Sequence, residues 1–456
     1  MEYPGFYEFQ LILLAIGCVV AIFADRRASK ARHQNVQDAS QYELPEQRGL
    51  GTGTRSALAT LTRQYLVAYG IAMGADWLQG PYVYSLYREQ YQFPESLVAV
   101  LFVTGFISAG VAAPFIGVWA DQHGRKRLCL VFCATYIGAC LCIMVPLLPV
   151  LLVGRVLGGI STSILFSAFE SWLISASNAH GLPQSDLSTI MGRATLLNGL
   201  VAAGAGVFSN QLVGFTGSFA SPFIASGVLL VLAGVVIRAT WVENYGVGAQ
   251  EKGSEIQRLK AAMHMVQADV RLLILGLTQT CFEGSMYLFV FLWVPSLQEV
   301  AGTDLLPLGY IFSSFMLSMM LGSILYTFLS AISTEPSLLT HARLSSAVCA
   351  AAALAFGLAV SYPVEHMRFW AFCIFEACVG MYYPVQGMLR GALIADEHRA
   401  TLSALFRVPL NVFVVVSLLT GVSSARSAVL VACMLMLSIS SILTWTIIVR
   451  RVGSHN

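Results

Sequence analysis

Thirteen separate apolar runs, each about 20 residues or longer, divide this chain of 456 residues, from 6–24 at the start to 427–449 near the end. Folded as a helix, such a run crosses a hydrocarbon layer of about 30 Å. The runs are continuous rather than alternating, so a barrel of membrane strands does not fit. In lipid every backbone donor and acceptor must be satisfied within the chain, which leaves helices. The composition agrees: 57% of residues are hydrophobic and 11% charged, against about 25% charged in soluble domains. The expected fold is an all-α membrane protein with one leading helix followed by two halves of six.

The leading run has no positively charged segment before it and no small-residue cleavage site after it. Arg26, Arg27, Lys30 and Arg32 follow it directly. It therefore reads as a retained helix with its N-terminus outside. The expected divisions are a transmembrane helix at 1–24 and a flexible cytosolic linker, rich in Gln, Ser, Gly and Thr, at 25–60. A first six-helix half at 61–241, a cytosolic loop at 242–269, a second half at 270–450 and a cytosolic tail at 451–456 complete the chain. Arg125, Lys126, Arg127, Lys252, Arg343, Arg399 and Arg450 all fall on one side of this topology. The other side keeps chiefly Arg88, Arg368 and Arg426, the asymmetry of a cytosolic and an outer face. The net charge of +2 gives no reason to expect nucleic acid as a partner; the lipid bilayer is the expected one.

The halves look related. Asp76 lies near the middle of the first core helix and Glu283 near the middle of the seventh. Arg193 and Arg407 open the fifth and eleventh, each followed by an Asn, Asn198 and Asn411. Transporters assembled from paired repeats build their sites near mid-membrane between the repeats, often where a helix breaks. Gly74, Gly80 and Pro81 make the Asp76 helix easy to break, and Gln79 continues its polar side.

Buried charge in a membrane is costly unless paired or wet, so each intramembrane ionisable residue is a site candidate. The candidates for substrate binding or coupling are Asp76, Gln79, Arg155, Glu170, Arg193, Glu283, Glu376, Arg407 and Asn411. Arg155 and Glu170 share a helical face but sit about 22 Å apart along it, so each needs a partner elsewhere. Glu376, Gly380, Tyr383, Gly387 and Arg390 form a second one-sided stripe. Arg407 reads equally as a substrate ligand or as a structural partner of Asp121. Asp76 and Glu283 are the expected carriers of any coupling proton, because all eight histidines are expected in loops or tails. The ten cysteines read as apolar packing residues, with no metal-type grouping. No Walker-type loop, nucleophile elbow or helical catalytic His is present, so neither an enzyme nor an ATP-driven pump is expected, and no cofactor.

Between the second and third core helices stands Gly117-Val-Trp-Ala-Asp121-Gln-His-Gly124-Arg125-Lys126-Arg127, which resembles the loop signature of the major facilitator superfamily. Gly117 permits close helix approach, Gly124 permits a tight turn, and Asp121 can pair with an Arg or a helix N-terminus. The resemblance implies that Gly117, Asp121, Gly124, Arg125 and Lys126 latch one conformation of a transport cycle. Gly154-Arg155-Val-Leu-Gly-Gly resembles a second signature of that superfamily, centred on an intramembrane Arg.

Longer stretches narrow the likeness. They include Asp76-Trp-Leu-Gln-Gly-Pro-Tyr-Val-Tyr-Ser-Leu-Tyr87, Phe282-Glu-Gly-Ser-Met-Tyr-Leu-Phe-Val-Phe-Leu-Trp-Val-Pro295 and Phe406-Arg-Val-Pro-Leu-Asn411. From about residue 60 to 450 the chain resembles the eukaryotic molybdate-anion transporter family. That resemblance implies uptake of molybdate across the plasma membrane, with a proton as a possible coupling partner. The rivals are a carrier of the same fold for sulfate or an organic anion, and a nutrient sensor that does not transport. Molybdate is a tetrahedral dianion, for which Arg and N–H donors are suited. Counted along the sequence, Arg155, Arg193 and Arg407 are balanced by Asp76, Glu170, Glu283 and Glu376. No positive excess is expected from that count, and anion preference is implied by the resemblance alone.

Overall fold

The computed structural model describes residues 5–40, 52–245, 263–302, 305–333, 337–394, 396–420 and 425–450, without the side chains of 28–40, 52–56, 117, 118, 121, 396–401, 403 and 404. Described residues outside the connections are helical. The long helices are α1 (Phe6–Ser40), α2 (Thr52–Gln79), α3 (Glu95–His123), α4 (Arg125–Cys142), α5 (Leu148–Ala179), α6 (Gln184–Thr216) and α7 (Ser221–Thr240). The second set comprises α8 (Val270–Ala301), α9 (Leu308–Ile332), α10 (Ser337–Ser361), α11 (Glu365–Leu393), α12 (Asp396–Thr420) and α13 (Arg426–Leu443), the last extended by a π-helical turn, Thr444–Val449.

Among the described helices, nine are long and apolar enough to cross a membrane. Of the other long helices, α2, α4 and α11 carry Asp76, Arg125–Arg127, and Glu376 with Arg390, polar residues for the interior or the loop, whereas α12 is apolar over Leu405–Thr420. Helix α2 stops at Gln79, before Gly80 and Pro81, and the chain resumes in a short turn, Val83–Ser85, and a π-helical stretch, Leu86–Gln90. The break expected from those two residues is present.

Helix α1 continues to Ser40, well past the end of its apolar run, and α2 starts at Thr52. Much of the 25–60 stretch expected as a flexible linker is therefore helical. Its Arg, Lys, Ala and Gln residues are good helix formers once a helix has been nucleated. Residues 41–51, most of the 242–269 loop and the 451–456 tail lie outside the described residues.

The halves repeat one packing plan. In the first, α2 packs on α6 and α7, α3 on α5, and α4 on α5 and α7; in the second, α8 packs on α12 and α13, α9 on α11, and α10 on α11 and α13. Each pairing has its counterpart six helices later. Small residues set the tightest of them. A Cβ on Gly159 would stand 2.5 Å from the Gly105 carbonyl oxygen, joining α5 to α3. In the second half Gly322 faces the Ala377 carbonyl and Gly380 the Met319 carbonyl, joining α9 to α11 at backbone contact. Without a hydrophobic drive between helices in lipid, such close approach supplies packing energy.

Helices α6·α9 and α3·α12 join the halves. Helix α1 lies against α9, where the Cys18 thiol meets the Leu317 carbonyl at 3.3 Å, and Tyr7 donates to Glu365 at the start of α11 at 2.5 Å. One end of the bundle bears Arg125–Arg127 and is called the basic end below; the opposite end is the far end. Hydrogen bonds between halves with both partners described lie toward the far end. They are Arg426 to Glu95 (2.7 Å), Gln298 to Glu89 (2.6 Å), the Gly309 amide to Asn210 (3.3 Å), Ser313 to the Ala203 carbonyl (2.7 Å), and Gln211 to Tyr310. At the basic end the described residues show no hydrogen bond between the halves.

The histidines depart from expectation: His33, His123, His264, His341, His366 and His398 lie in helices rather than in loops or tails. Among those with described side chains, His341 is buried, in the second turn of α10, 3.1 Å from the Tyr326 hydroxyl and 2.5 Å from the Ser337 carbonyl. Partners on both ring nitrogens make its burial tolerable, and it sits away from the cavity described next.

Candidate substrate cavity

A cavity of about 830 Å³ lies between the halves. Its wall is mostly small and apolar, from α3, α4, α5, α8, α11 and α12. The charged residues on it, among those described, are Arg155, Arg390, Arg407 and Glu283. Three guanidiniums against one carboxylate leave the wall with a net charge of two positive. The balance counted along the sequence is overturned because Asp76, Glu170 and Glu376 do not reach the cavity, and a sequence count cannot see which way a helix is turned.

Arg155 comes from α5. Its Nε donates to the Leu101 carbonyl at 3.0 Å, and its guanidinium carbon lies 5.3 Å from the centre of the Phe102 ring. No described carboxylate lies within 4 Å of it. Room for this side chain depends on Gly105, where a Cβ would meet the guanidinium at 2.6 Å. Arg407 on α12 is exposed to the cavity and likewise carries no ion pair among the described residues. Asn411, one turn further, also lines the cavity and reaches across the halves. A Cβ on Gly110 of α3 would be 3.2 Å from its Nδ2. Gln79 lines the wall with its amide nitrogen given to Ser226 at 2.8 Å.

Glu283 on α8 is neutralised locally. Arg390 reaches it at 3.2 Å, Tyr382 donates to it at 3.2 Å, and Gln279 at 3.3 Å. Asp76, its counterpart on α2, is arranged differently. It is half-buried behind the wall and accepts a 2.5 Å hydrogen bond from Tyr136, whose ring faces the cavity. No described cation pairs with it.

The remaining candidates lie elsewhere. Glu170 is exposed on α5 outside the cavity, and Arg193 is exposed on α6, also outside. Glu376 is buried, with no hydrogen bond or ion pair among the described residues, one residue from Ala377 where α11 presses on α9. Arg390 belongs to the cavity although only the stripe on α11 pointed to it; Tyr136 stands in an apolar run with no charged residue near it in sequence to mark it.

Of the residues expected to form a latch, Gly117 and Asp121 fall in the last turns of α3 rather than in a loop, and their side chains lie outside the described residues. Gly124 has φ +102°, a conformation that favours glycine. A Cβ there would also meet the Glu243 carboxylate at 2.5 Å. Glu243, which sequence reasoning missed, accepts from the backbone amides of Lys126 (2.8 Å) and Arg127 (3.1 Å) at the α4 N-terminus, where the helix dipole favours an anion. The Arg125 amide donates to the Asn244 carbonyl at 3.0 Å. The Lys126 ammonium donates to the Trp241 carbonyl at 2.6 Å, beyond the last turn of α7. The loop is thereby tied to the first residues of the inter-half segment.

Two sets of described helices that repeat one packing plan around a charged central cavity have the architecture of a membrane carrier. Residues 42–365 match a major facilitator family model described as sugar transporters, 12 TM. The chain is 34% identical to the molybdate-anion transporter of Takifugu rubripes, with 78% of each chain covered. It is 35% identical to that of Xenopus laevis over 77% of each. With that of Danio rerio it shares 31%, over 81% of this chain and 82% of the relative. The chain belongs to the molybdate-anion transporter family. Solved structures share the fold at low identity. The nucleoside transporter NupG has TM-score 0.63 and 12% identity, covering 85% of this chain and 99% of its own. The POT family transporter PepTSo has TM-score 0.65 and 12% identity, covering 87% and 99%. A bacterial homologue of the lysosomal transporter Spinster, inward-facing and unoccupied, has TM-score 0.60 and 15% identity, covering 87% and 97%.

Proposed function

We propose that this chain moves molybdate across the plasma membrane, into the cell, by alternating access. The observation that carries the reading is the net double positive charge of the cavity wall, which equals in size the charge of a tetrahedral oxyanion of the MoO₄²⁻ type. The names of the relatives supply the metal. Arg155 from the first half and Arg407 from the second hold the dianion between them, with Asn411 and Gln79 as neutral donors. Charge-assisted bonds from guanidinium to oxyanion are the strong ones, and a ligand held by both halves favours the state in which they close on it. Glu283 is the carboxylate through which a coupling proton acts, because its protonation releases Arg390 to the anion. Asp76 orients Tyr136 from behind the wall, and the Gly117–Lys126 loop latches one state of the cycle.

The test is uptake of radiolabelled molybdate into proteoliposomes containing only this protein, with and without an inward proton gradient and with excess sulfate. Saturable uptake that survives sulfate and rises with the gradient is expected. Uptake abolished by equimolar sulfate would make the protein a general oxyanion carrier. Folded protein that binds molybdate but moves none would make it a sensor.

A further inference from the structure

We propose that the Arg426–Glu95 ion pair is the outer gate of this carrier, the contact that must break before the cavity can open at the far end. The inference rests on the alternating-access reading. Arg426 begins α13 in the second half and Glu95 begins α3 in the first. The contact is two-pronged: Nε to one carboxylate oxygen at 3.2 Å and a terminal nitrogen to the other at 2.7 Å. Fork-to-fork geometry of this kind is stronger and more directional than a single-point contact. Both side chains are largely withdrawn from solvent, 27% exposed for Arg426 and 10% for Glu95. Of the ion pairs with both side chains described, this is the one that joins the halves.

Its position suits a gate. It ties the first residue of α3 to the first residue of α13 at the far end of the bundle, while Asn411 of α12 approaches α3 at cavity level. A second polar contact, Gln298 to Glu89 at 2.6 Å, spans the same opening but is exposed. Arg426 also has somewhere to go. Its third donor already holds the Pro295 carbonyl of its own half at 3.3 Å. Glu299, one turn further along α8 in the same half, is held by Arg368 at 3.5 Å. When the halves part, Arg426 keeps the Pro295 carbonyl of its own half, and Glu95 gains water in place of the guanidinium.

The experiment places spin labels on Ser96→Cys and Ser427→Cys, exposed neighbours of the pair on opposite halves, in full-length protein in liposomes without substrate. Glu95→Gln and Arg426→Gln are each expected to lower the short-distance population at least twofold. The swapped pair Glu95→Arg with Arg426→Glu is expected to restore it. An unchanged distance distribution in both single variants overturns the gate. So does a swap that behaves like the singles while the protein remains folded. A Glu95→Cys/Arg426→Cys disulfide supplies the second reading: oxidation is expected to stop transport and reduction to return it, and transport that continues when oxidised overturns the proposal. Molybdate uptake is scored separately, so distances that shift in a protein that carries no molybdate would remove the substrate reading and leave the gate.

Discussion

The two halves share one packing plan but treat their acidic residue differently. In the first, Asp76 sits behind the cavity wall on Tyr136 and leaves Arg155 without a carboxylate. In the second, Glu283 stands on the wall and holds Arg390, while Arg407 on the next helix has no ion pair among the described residues. Duplication supplied matching helices; divergence of single residues made one wall purely cationic and the other a cation beside a cancelled pair. An anion carrier needs the first kind of wall for attraction. The second kind allows a proton, by cancelling Glu283, to change the charge the substrate meets.

The largest effects are expected from these two guanidiniums, Arg155 and Arg407. Arg155→Gln and Arg407→Gln each remove a charge-assisted contact of about 1.5–3 kcal/mol, which corresponds to roughly 10- to 100-fold weaker molybdate binding. Thermal stability should hold, because neither carries an ion pair among the described residues. Scintillation proximity binding on detergent-solubilised protein measures it. Binding unchanged in either variant would take that half out of the site.

Next in size is the cancelled pair. Glu283 and Arg390 are 12% and 24% exposed, so breaking the pair costs less than the several kcal/mol of a fully buried one. Glu283→Gln is expected to cost about 1–2 kcal/mol of stability, to tighten anion binding and to abolish stimulation by a proton gradient. Glu283→Gln with Arg390→Gln should recover the stability of the parent, since no charge is left alone. A melting curve for the double variant below that of the single would show that the two do not act as a unit.

A glycine separates packing from charge on the first wall. Gly105→Ala pushes on the flexible end of Arg155, whereas Gly159→Ala pushes on the Gly105 backbone itself. The first is expected to raise the KM for molybdate a few-fold with normal yield of folded protein. The second should lower the yield. Equal loss of yield would mean that Arg155 cannot move aside and that its placement is part of the fold.

How much of this was legible in the sequence follows from what a helix hides. The apolar runs, the paired halves and the break after Gln79 were readable because each rests on local composition: length, repetition, and Gly80 with Pro81. Charge toward the cavity was not. Glu376 and Arg390 read as one stripe at helical spacing, yet Pro384 lies between them inside α11 and removes a backbone donor. Glu376 ends beside the α9 contact and Arg390 on the cavity. Tyr136 and Glu243 were invisible for another reason, since each acquires its role from a partner far along the chain, Asp76 and the Gly124 turn.

The smallest expected effect bears most directly on the comparison of the halves. Arg193 and Arg407 occupy matching places near the start of α6 and α12, each with an Asn a few residues on. Asn198 is spent on the Trp77 indole at 2.7 Å, whereas Asn411 lines the cavity. Arg193 is exposed outside the cavity and Arg407 lines it. Arg193→Gln is therefore expected to change molybdate uptake less than about twofold, within the range usual for an exposed surface charge, while Arg407→Gln should weaken it severely. The two variants differ only in which copy of the repeat is altered, so their ratio in one uptake assay measures how far the halves have diverged. A ratio near one would mean that the halves still present equivalent residues to the substrate at some stage of the cycle.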